Sequence, residues 1–522
     1  MQDILLTNGT ILTMNDSQPQ VEAVLIRAGN IAACGDFEAV QAQAAPDYQT
    51  INLDGRCALP GFHDSHLHLM LHGLQLSRLD FASTPTLEAA LEQVAQKAAS
   101  VPTDTWILGA GFSVVRWGKQ SLSKSDLDRV APNHPVFIYS QDFHSCWVNS
   151  RALEAANIHA GTPDPAQGKI VRDDSGEPSG TLLELAANLV TDIIPKPSDE
   201  AMDEALEAAA IDLAGYGVTT VHTMGYEPQS YWRHIAKTAS KDDYGLRVWS
   251  CIPHKYAEAA LELGLATGQG GSRFQVGGAK FFADGALGSL TAWMLEPYQN
   301  SNNYGIQVDD PKILAERFPL VIEAGLTPVV HAIGDAANRA VLDALEATQS
   351  LWQAKGMRPR IEHAQHLHPD DIPRFAQLGV IASVQPYHLV IDAPNARKII
   401  PNKLAGTYAF GSLAKYGAHL ALGSDTPVAV PGVLKAIRAA VTRIDAEGLV
   451  FQENETLDVA RALRGYTTDA AYAIHAEHRS GQLNLGFDAD VVVLSHNPLD
   501  GNLDALEVHG TMLAGTWTKV LD

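Results

Sequence analysis

The stretch ALPGFHDSHLH at residues 58–68 leads from a short apolar run into two histidines, and it is the first of eight comparable runs. The other seven begin near residues 218 (VTTVHT), 246 (LRVWSCI), 277 (GGAKFFADG), 327 (TPVVHA), 359 (PRIEHAQ), 380 (VIASVQP) and 419 (HLALGSD). Ala- and Leu-rich stretches of helical character lie between them, and short apolar runs that alternate with helices are typical of buried parallel strands. Eight such units predict a (β/α)8 TIM barrel.

The spacing of polar residues at the ends of these runs supports the barrel. A barrel of about 250 residues gives roughly 31 residues to each unit. His331 and His363 are 32 residues apart, and Asp425 follows after a further 62, which is close to one unit and then two units. His66 and Lys280, in contrast, are 214 residues apart. The sequence therefore predicts a long insertion after the first barrel strand.

The two ends of the chain have similar sequence patterns. Residues 1–57 and residues 477–522 both alternate short β-type runs with turn residues, as in ILLTNGTILTM and GFDADVVVLS. Two such segments can complete one β structure around a continuous central domain. We therefore expect the barrel at residues 58–69 and 205–476, and we expect the inserted residues 70–204 to cap its active site.

Composition restricts the class of partner. The 522 residues are 46% hydrophobic and 19% charged, which is enough to bury a large core. A formal net charge of −23 repels nucleic-acid phosphates and anionic lipids, so neither partner is expected. The sequence has no apolar run of about 18 residues and no secretory pattern at its start. A cytoplasmic protein that acts on a small molecule is the expectation, and a homodimer is compatible with it.

Histidines at the strand ends predict metal ligands. Side chains at the C-terminal ends of barrel strands converge, and residues two apart on a strand project the same way, so His66 and His68 can chelate one metal ion. His331 and His363 each end an apolar run and can bind a second ion. The alternative for this second pair is two hydrogen-bonded structural histidines.

Asp425 and Lys280 complete the set. Asp425 closes the eighth run, where a carboxylate can bind metal and exchange a proton with bound water; the alternative is a plain Gly-Ser-Asp turn. Lys280 lies within an apolar run, an unfavourable place for an ammonium group. One solution is carbamylation by CO2, which gives an anion able to bridge two cations, and the alternative is an ion pair with Asp284.

Several blocks of the chain resemble the amidohydrolase superfamily, and in particular its family 3, which includes N-substituted formamide deformylases. The resemblance rests on PGFHDSHLH, AKFFADG, HAIGDAA, RIEHAQ and GSDTP, and on the further segments DFHSCWVNSRAL, SGTLLELA, SVQPYHLVID, YTTDAAYA and GQLNLGFDADVVVL. These blocks span nearly the whole chain.

The resemblance implies the ligand set and its metals. It implies a TIM barrel with a small β-sandwich built from both termini, in which His66, His68 and Asp425 hold one ion and His331 and His363 hold a second. Carbamylated Lys280 would bridge them. Zinc is expected, with one or two ions per subunit, and other divalent metals suit the same ligands.

The expected activity is hydrolysis of a C–N bond in an amide, formamide, carbamate or cyclic amide. Metal-activated hydroxide would attack the carbonyl carbon, and Asp425 would carry the proton to the leaving nitrogen. Two alternatives remain open: an esterase, lactonase or deaminase on the same scaffold, or a non-catalytic barrel protein.

The sequence also offers candidates for substrate contacts. His144 in the inserted segment is the main one, and a surface histidine is its alternative. His388 and His222 end the seventh and second runs and are expected near the mouth of the barrel, either as donors or as structural histidines. The remaining candidates, more often core residues than pocket residues, are Trp117, Trp147 and Asn149.

Overall fold

The computed structural model describes residues 2–521 except 82, 113, 115–116, 120–121, 141–144, 166–167 and 226–228. The chain forms two compact units. The first consists of Met1–His72 and Leu206–Asp522, and the second of Gly73–Ala205. No helix in the described ranges is both long enough and apolar enough to cross a membrane.

The strands, in chain order, are β1 (Ile4–Leu12), β2 (Gln20–Arg27), β3 (Asn30–Gly35), β4 (Gln49–Asn52), β5 (Cys57–Pro60), β6 (Phe62–Leu67), β7 (Leu79–Asp80), β8 (Ile107–Phe112), β9 (Val136–Ser140), β10 (Ser145–Val148), β11 (Gly168–Arg172), β12 (Pro178–Glu184), β13 (Val218–Thr223), β14 (Arg247–Pro253), β15 (Phe274–Phe282), β16 (Pro328–Ala332), β17 (Arg360–His363), β18 (Ile381–Val384), β19 (Leu420–Leu422), β20 (Val491–Leu494), β21 (Val508–Leu513) and β22 (Thr516–Lys519).

The α-helices are α1 (Phe37–Gln41), α2 (Leu69–Leu76), α3 (Leu87–Ser100), α4 (Lys124–Val130), α5 (Ser150–Ala155), α6 (Asn188–Thr191), α7 (Asp199–Gly215), α8 (Gln229–Ala239), α9 (Ala257–Leu263), α10 (Pro311–Glu323), α11 (Asp335–Ala347), α12 (Gln349–Ala354), α13 (Ile372–Leu378), α14 (Pro386–Ile399), α15 (Phe410–Lys415), α16 (Val433–Thr442), α17 (Val459–Gly465) and α18 (Thr468–Ala473).

The barrel is an eight-stranded sheet in the order β6, β13, β14, β15, β16, β17, β18, β19, and all neighbouring pairs in that order are parallel. Each strand coincides with one of the eight apolar runs. The residues of β13, β17, β18 and β19 are all buried, as expected for strands that helices cover on the outside and side chains fill on the inside. The predicted (β/α)8 barrel is confirmed.

The last strand meets the first just beyond β19. The amide of Asp425 donates to the carbonyl of His66 over 2.6 Å, and the amide of His68 donates to the carbonyl of Thr426 over 2.9 Å. Gly423 makes this approach feasible, because a Cβ at that position would lie 2.5 Å from the amide nitrogen of His66. The backbone therefore brings Asp425 directly to the two histidines.

A second sheet of the first unit joins the two ends of the chain. Strands β1 to β5 from the N-terminal end bond to β20, β21 and β22 from the C-terminal end, with β20 antiparallel to β5. Neighbouring residues of β1 enter different apolar clusters: Leu5 packs with Leu25 and Val40, whereas Leu6 packs with Val24. Both faces of the sheet are thus covered by apolar side chains, and the predicted β-sandwich from both termini is confirmed.

The second unit has a six-stranded sheet of its own, in the order β11, β12, β10, β9, β8, β7. Its core includes Trp117 and Trp147, whose rings meet edge to face with centroids 6.3 Å apart. The unit, Gly73–Ala205, lies in all but one residue within residues 70–204, which the sequence predicts as an insertion after the first barrel strand.

Candidate active site

Side chains from the ends of the barrel strands line one cavity of about 390 Å³. Strand β6 brings His66, and His68 follows directly after this strand, while β15, β16 and β17 supply Lys280, His331 and His363. The segment after β19 supplies Asp425. All six residues that the sequence singles out as ligands border this cavity.

One carboxylate oxygen of Asp425 lies close to both His66 and His68. This atom, Oδ1, is 3.4 Å from Nε2 of His66 and 3.4 Å from Nε2 of His68. Two ligands that each lie about 2.0–2.1 Å from one tetrahedral ion are about 3.4 Å apart. These spacings therefore fit ligands around a common ion, and they are longer than direct hydrogen bonds.

His363 extends the cluster. Ligand atoms of His66, His363 and Asp425 all lie within 4.8 Å of one another, and all three residues are buried. The Nδ1 atom of His363 is buried without a hydrogen-bond partner among the described residues, which is unfavourable unless another group meets it. His363 and Asp425 also have left-handed backbones, with φ of 73° and 62°. Such strain in non-glycine residues gathers at functional sites.

The protonation states suit metal binding. Burial lowers the pKa of His66 to about 4 and that of His331 to about 3, so both imidazoles are neutral at pH 7 and keep a lone pair. Burial alone would raise the pKa of Asp425, but His66 and His68 hold it well below its usual value. The cluster thus offers neutral nitrogen donors beside an ionised carboxylate.

A hydrogen bond to Glu362 fixes the orientation of His66. Its Nδ1–H donates to Oε2 of Glu362 over 2.6 Å, which leaves Nε2 directed at Asp425. Glu362 is fully buried and pairs with Arg360, whose Nε lies 2.5 Å from Oε1. Burial opposes the charge on Glu362, yet Arg360 and His66 keep its pKa well below the usual value. A carboxylate that holds the far nitrogen of a ligand histidine is a common supporting feature of metal sites.

Lys280 forms no ion pair or hydrogen bond among the described residues, and its Nζ lies 5.0 Å from the centroid of the Phe282 ring. The side chain is 1% exposed. Burial lowers its pKa, although Glu362 acts in the opposite direction. The alternative of an ion pair with Asp284 is not what the structure shows. Asp284 instead accepts the backbone amides of Trp293, Ile333 and Gly334 over 2.7–2.9 Å.

His388 lies on the opposite side of Asp425. It sits in the first turn of α14, and its Nε2 is 3.6 Å from Oδ2 of Asp425. The two carboxylate oxygens of Asp425 therefore have different neighbours: Oδ1 faces His66 and His68, and Oδ2 faces His388. Of the two histidines expected near the mouth, His388 borders the cavity as expected.

The other histidine, His222, fits the structural alternative and does not border this cavity. His222 is fully buried inside the barrel, where its Nδ1 is 3.1 Å from Nη1 of Arg360. It ends a strand as expected, but its side chain joins the supporting network instead of bordering the cavity. The strand pattern predicted its position along the axis, whereas the direction of the side chain depends on the register with neighbouring strands.

The candidates in the second unit have structural roles. Trp117 and Trp147 are buried and donate to the carbonyls of Thr84 and Ser123. Asn149 is fully buried and caps α5 by accepting the amide of Ala152. These contacts fit the core alternative for all three. His144 lies outside the described residues, so its role stays a prediction.

Two polar residues of the cavity wall were not singled out from the sequence. Gln365 follows β17, and Asp392 lies one helical turn after His388 in α14. Apolar side chains form much of the remaining wall: Phe282, Leu287, Ile333, Ile391 and Val428. The block RIEHAQ contains Gln365, and the block SVQPYHLVID contains Asp392. The sequence signal that could have identified these two residues is their position after the ends of barrel strands.

Comparison with known proteins agrees with this geometry. The sequence profile described as "Amidohydrolase family" matches residues 49–517. The chain is 36% identical to protein LONG AFTER FAR-RED 3 of Arabidopsis thaliana, over 95% of this chain and 88% of that protein. It is 28% identical to N-substituted formamide deformylase of Arthrobacter pascens, over 99% and 98% of the two chains.

A solved structure shows the same fold. The crystal structure of an uncharacterized metal-dependent hydrolase from Pyrococcus horikoshii OT3 aligns with a TM-score of 0.81 and 26% identity, over 96% of this chain and 99% of that one. Since the family profile covers most of the sequence and the alignments span both chains, this chain belongs to the amidohydrolase family of metal-dependent hydrolases.

Proposed function

We propose that this protein hydrolyses a C–N bond in a small molecule, such as an amide, formamide, carbamate or cyclic amide, at a zinc centre. The observation that carries the proposal is the convergence of His66 and His68 on one oxygen of Asp425 at the spacing of ligands around a common ion. The ligand types, imidazole and carboxylate, suit zinc.

The residues present fit the metal. His66, His68 and Asp425 would hold one ion, and His331 and His363 would hold a second. The unpartnered, buried Nδ1 of His363 supports a ligand role for this residue. A divalent cation bound there supplies a water of lowered pKa and positive charge opposite the developing oxyanion.

Asp425 is positioned to move the proton. Its Oδ1 faces the two histidines, and its Oδ2 faces the cavity side at His388. We propose that Asp425 takes the proton from the attacking water and gives it to the leaving nitrogen, as a general base and then a general acid. His388 is the neighbouring donor for negative charge that develops on the substrate oxygen.

Lys280 is proposed to carry a carbamate. The neutral amine attacks CO2, a new N–C bond forms, and Nζ releases one proton to solvent, which leaves an anion with two oxygens. Burial without a hydrogen bond or ion pair favours this product over an ammonium ion, because the anion can balance the charge of adjacent cations. The lysine would then bridge the two groups of histidines.

Two observations support C–N substrates. A relative that aligns over nearly its whole length is named an N-substituted formamide deformylase. The cavity wall is also largely apolar, and within the described residues it lacks the arginines that bind phosphate groups elsewhere. A carbonyl compound without phosphate groups is the better match for such a wall.

The test is metal analysis combined with a substrate panel. Purified enzyme should contain zinc, lose activity to a chelator and regain it with added zinc. Formamides and amides should be hydrolysed faster than matched esters and aminated heterocycles. Full activity without bound metal, or a panel in which only esters or aminated heterocycles react, would contradict the proposal.

A further inference from the structure

Asp392 places a carboxylate in the wall of the cavity. The proposed hydrolysis does not use this group. Asp392 lies four residues after His388 in α14, and residues at this spacing share one face of a helix. Both side chains border the same cavity. An α-helix rises about 1.5 Å per residue, so Asp392 lies about 6 Å along the helix axis from His388, the residue beside Asp425.

The protein holds this carboxylate in place by one oxygen. Oδ2 of Asp392 accepts from Oη of Tyr408 over 3.1 Å and from Nε2 of Gln365 over 3.3 Å. Tyr408 is itself buried, and its carbonyl accepts from Nη2 of Arg443 over 3.1 Å. Asp392 is therefore supported by neighbours that are fixed in turn, as in a preorganised binding group.

The other oxygen has no comparable partner. In the described part of the chain, Oδ1 of Asp392 accepts no hydrogen bond, and no Lys, Arg or His nitrogen forms an ion pair with this side chain. The wall of the same cavity also includes Ile391, Val428 and Ile333. Asp392 is half-buried and borders the cavity, so this oxygen is available to a positive group that binds there.

We infer that Asp392 binds a cationic group of the substrate, an ammonium or guanidinium, about one helical turn from the bond that is cleaved. This inference rests on the proposed function and adds a substrate class to it. The apolar side chains between the two ends of the cavity would pack against a short alkyl linker. The net charge of −23 also favours the approach of cations over anions.

The experiment compares two substrates of nearly equal shape. N-formyl-1,3-diaminopropane carries an ammonium group at the end of a three-carbon chain, and N-formylbutylamine carries a methyl group in its place. We expect the zinc-loaded enzyme to show a kcat/KM at least 10-fold higher for the cationic compound. Asp392→Asn should remove most of that preference, because kcat/KM falls much more for the cationic compound than for the neutral one.

Two further variants make the outcome specific. Tyr408→Phe removes one donor to Asp392 and should reduce the preference in part. Asp504→Asn removes the same charge from a side chain that is 76% exposed and pairs with Arg438, and it should leave the preference unchanged. Thermal unfolding and zinc content identify any variant that is misfolded or metal-free. A wild-type enzyme that does not discriminate, or an equal preference in folded Asp392→Asn, would overturn the inference.

A binding measurement distinguishes failure of the proposed function from failure of the proposed role of Asp392. If the enzyme hydrolyses neither compound, their binding to the zinc-loaded protein is measured by calorimetry. Tighter binding of the cationic compound that Asp392→Asn abolishes would then support the role of Asp392 while the formamide chemistry is rejected. Equal binding of the two compounds would reject the role of Asp392 as well.

Discussion

His66 Nδ1 lies 2.6 Å from Glu362 Oε2, although 296 residues separate the two in sequence. The contact fixes the imidazole so that Nε2 faces Asp425. Glu362 thus acts on the metal site through His66 and is a positioning residue.

We expect Glu362→Gln to bind zinc about 10–100-fold more weakly than the wild type. The glutamine can present its amide nitrogen to His66 and so disfavour the tautomer that ligates through Nε2. The variant should also be less stable, since it leaves the buried Arg360 without its carboxylate. Competition with a zinc indicator dye measures the affinity.

The matched control is Ser383→Ala, which removes a 2.8 Å hydrogen bond from the same Arg360 without touching His66. It should lose stability and keep its zinc affinity. Unchanged affinity in a folded Glu362→Gln protein would show that His66 needs no such support.

Asp425→Asn and His66→Ala should each lower kcat/KM by several orders of magnitude in a folded protein. Both side chains act at the reacting centre. Asparagine matches the shape of aspartate and tolerates the left-handed backbone at position 425, where φ is 62°. Steady-state kinetics, with circular dichroism for folding, tests this. His478→Ala, at an exposed histidine, is the control. Retention of more than a tenth of wild-type kcat/KM would refute the assignment.

Lys280→Ala should be nearly inactive and partly rescued by acetate or propionate. A short carboxylate can occupy the space that the side chain leaves and replace the carbamate oxygens. Lys280→Met should be equally inactive but not rescued, because its side chain fills that space. NMR of enzyme prepared with 13C-bicarbonate should show a carbamate carbon. An unmodified lysine in fully active, zinc-loaded enzyme would argue against the carbamate.

Stability should decrease below pH 6.5 in part through His366. Burial lowers its pKa to about 3, and its Nδ1 lies 2.9 Å from Oγ1 of Thr407. The unfolded chain, with a histidine pKa of about 6.5, takes up a proton that the folded chain excludes between that value and about 3. The stability that the folded chain gains by keeping this imidazole neutral is therefore fully present above pH 6.5, and it is lost as the pH falls. At pH 5.5 the loss is about 1 kcal/mol.

We expect His366→Asn, in metal-free protein, to lose less stability than the wild type on going from pH 7.5 to pH 5.5. Urea unfolding followed by fluorescence at both pH values measures the difference. His478→Asn, at an exposed histidine, should retain the wild-type pH dependence. Identical pH dependence in wild type and His366→Asn would show that the buried imidazole does not exclude a proton.

Gly423→Ala should disturb the closure of the barrel. The added Cβ would lie 2.5 Å from the amide nitrogen of His66 and 3.0 Å from Oδ1 of Asp64, so β6 and the segment after β19 must move apart. We expect a loss of about 1–3 kcal/mol in unfolding free energy and weaker zinc binding, since His66 and Asp425 move with these segments. Gly215→Ala, where nothing lies within 4 Å, should be neutral. Equal zinc affinity in the two variants would contradict this reasoning.

The barrel and the gathering of its candidate ligands were predictable from the sequence. Eight apolar runs at a regular spacing are a local, repeating signal, and a barrel brings the ends of such runs together whatever lies between them. His66, Lys280, His331, His363 and Asp425 could therefore be placed at one face before any contact was known. The resemblance of the surrounding blocks to the amidohydrolase family then assigned each of them a role.

Only the tertiary structure decided which side chains support that set. No sequence repeat predicts the contact of Glu362 with His66, or the contacts of Asp392 with Tyr408 and Gln365. These contacts depend on strand register and on helix orientation. For the same reason the end of a strand was the right place for His222 along the axis but did not show that its ring joins Arg360 in the interior. Sequence repeats determine where backbone segments lie, whereas the direction of each side chain follows from packing among residues that are hundreds of positions apart.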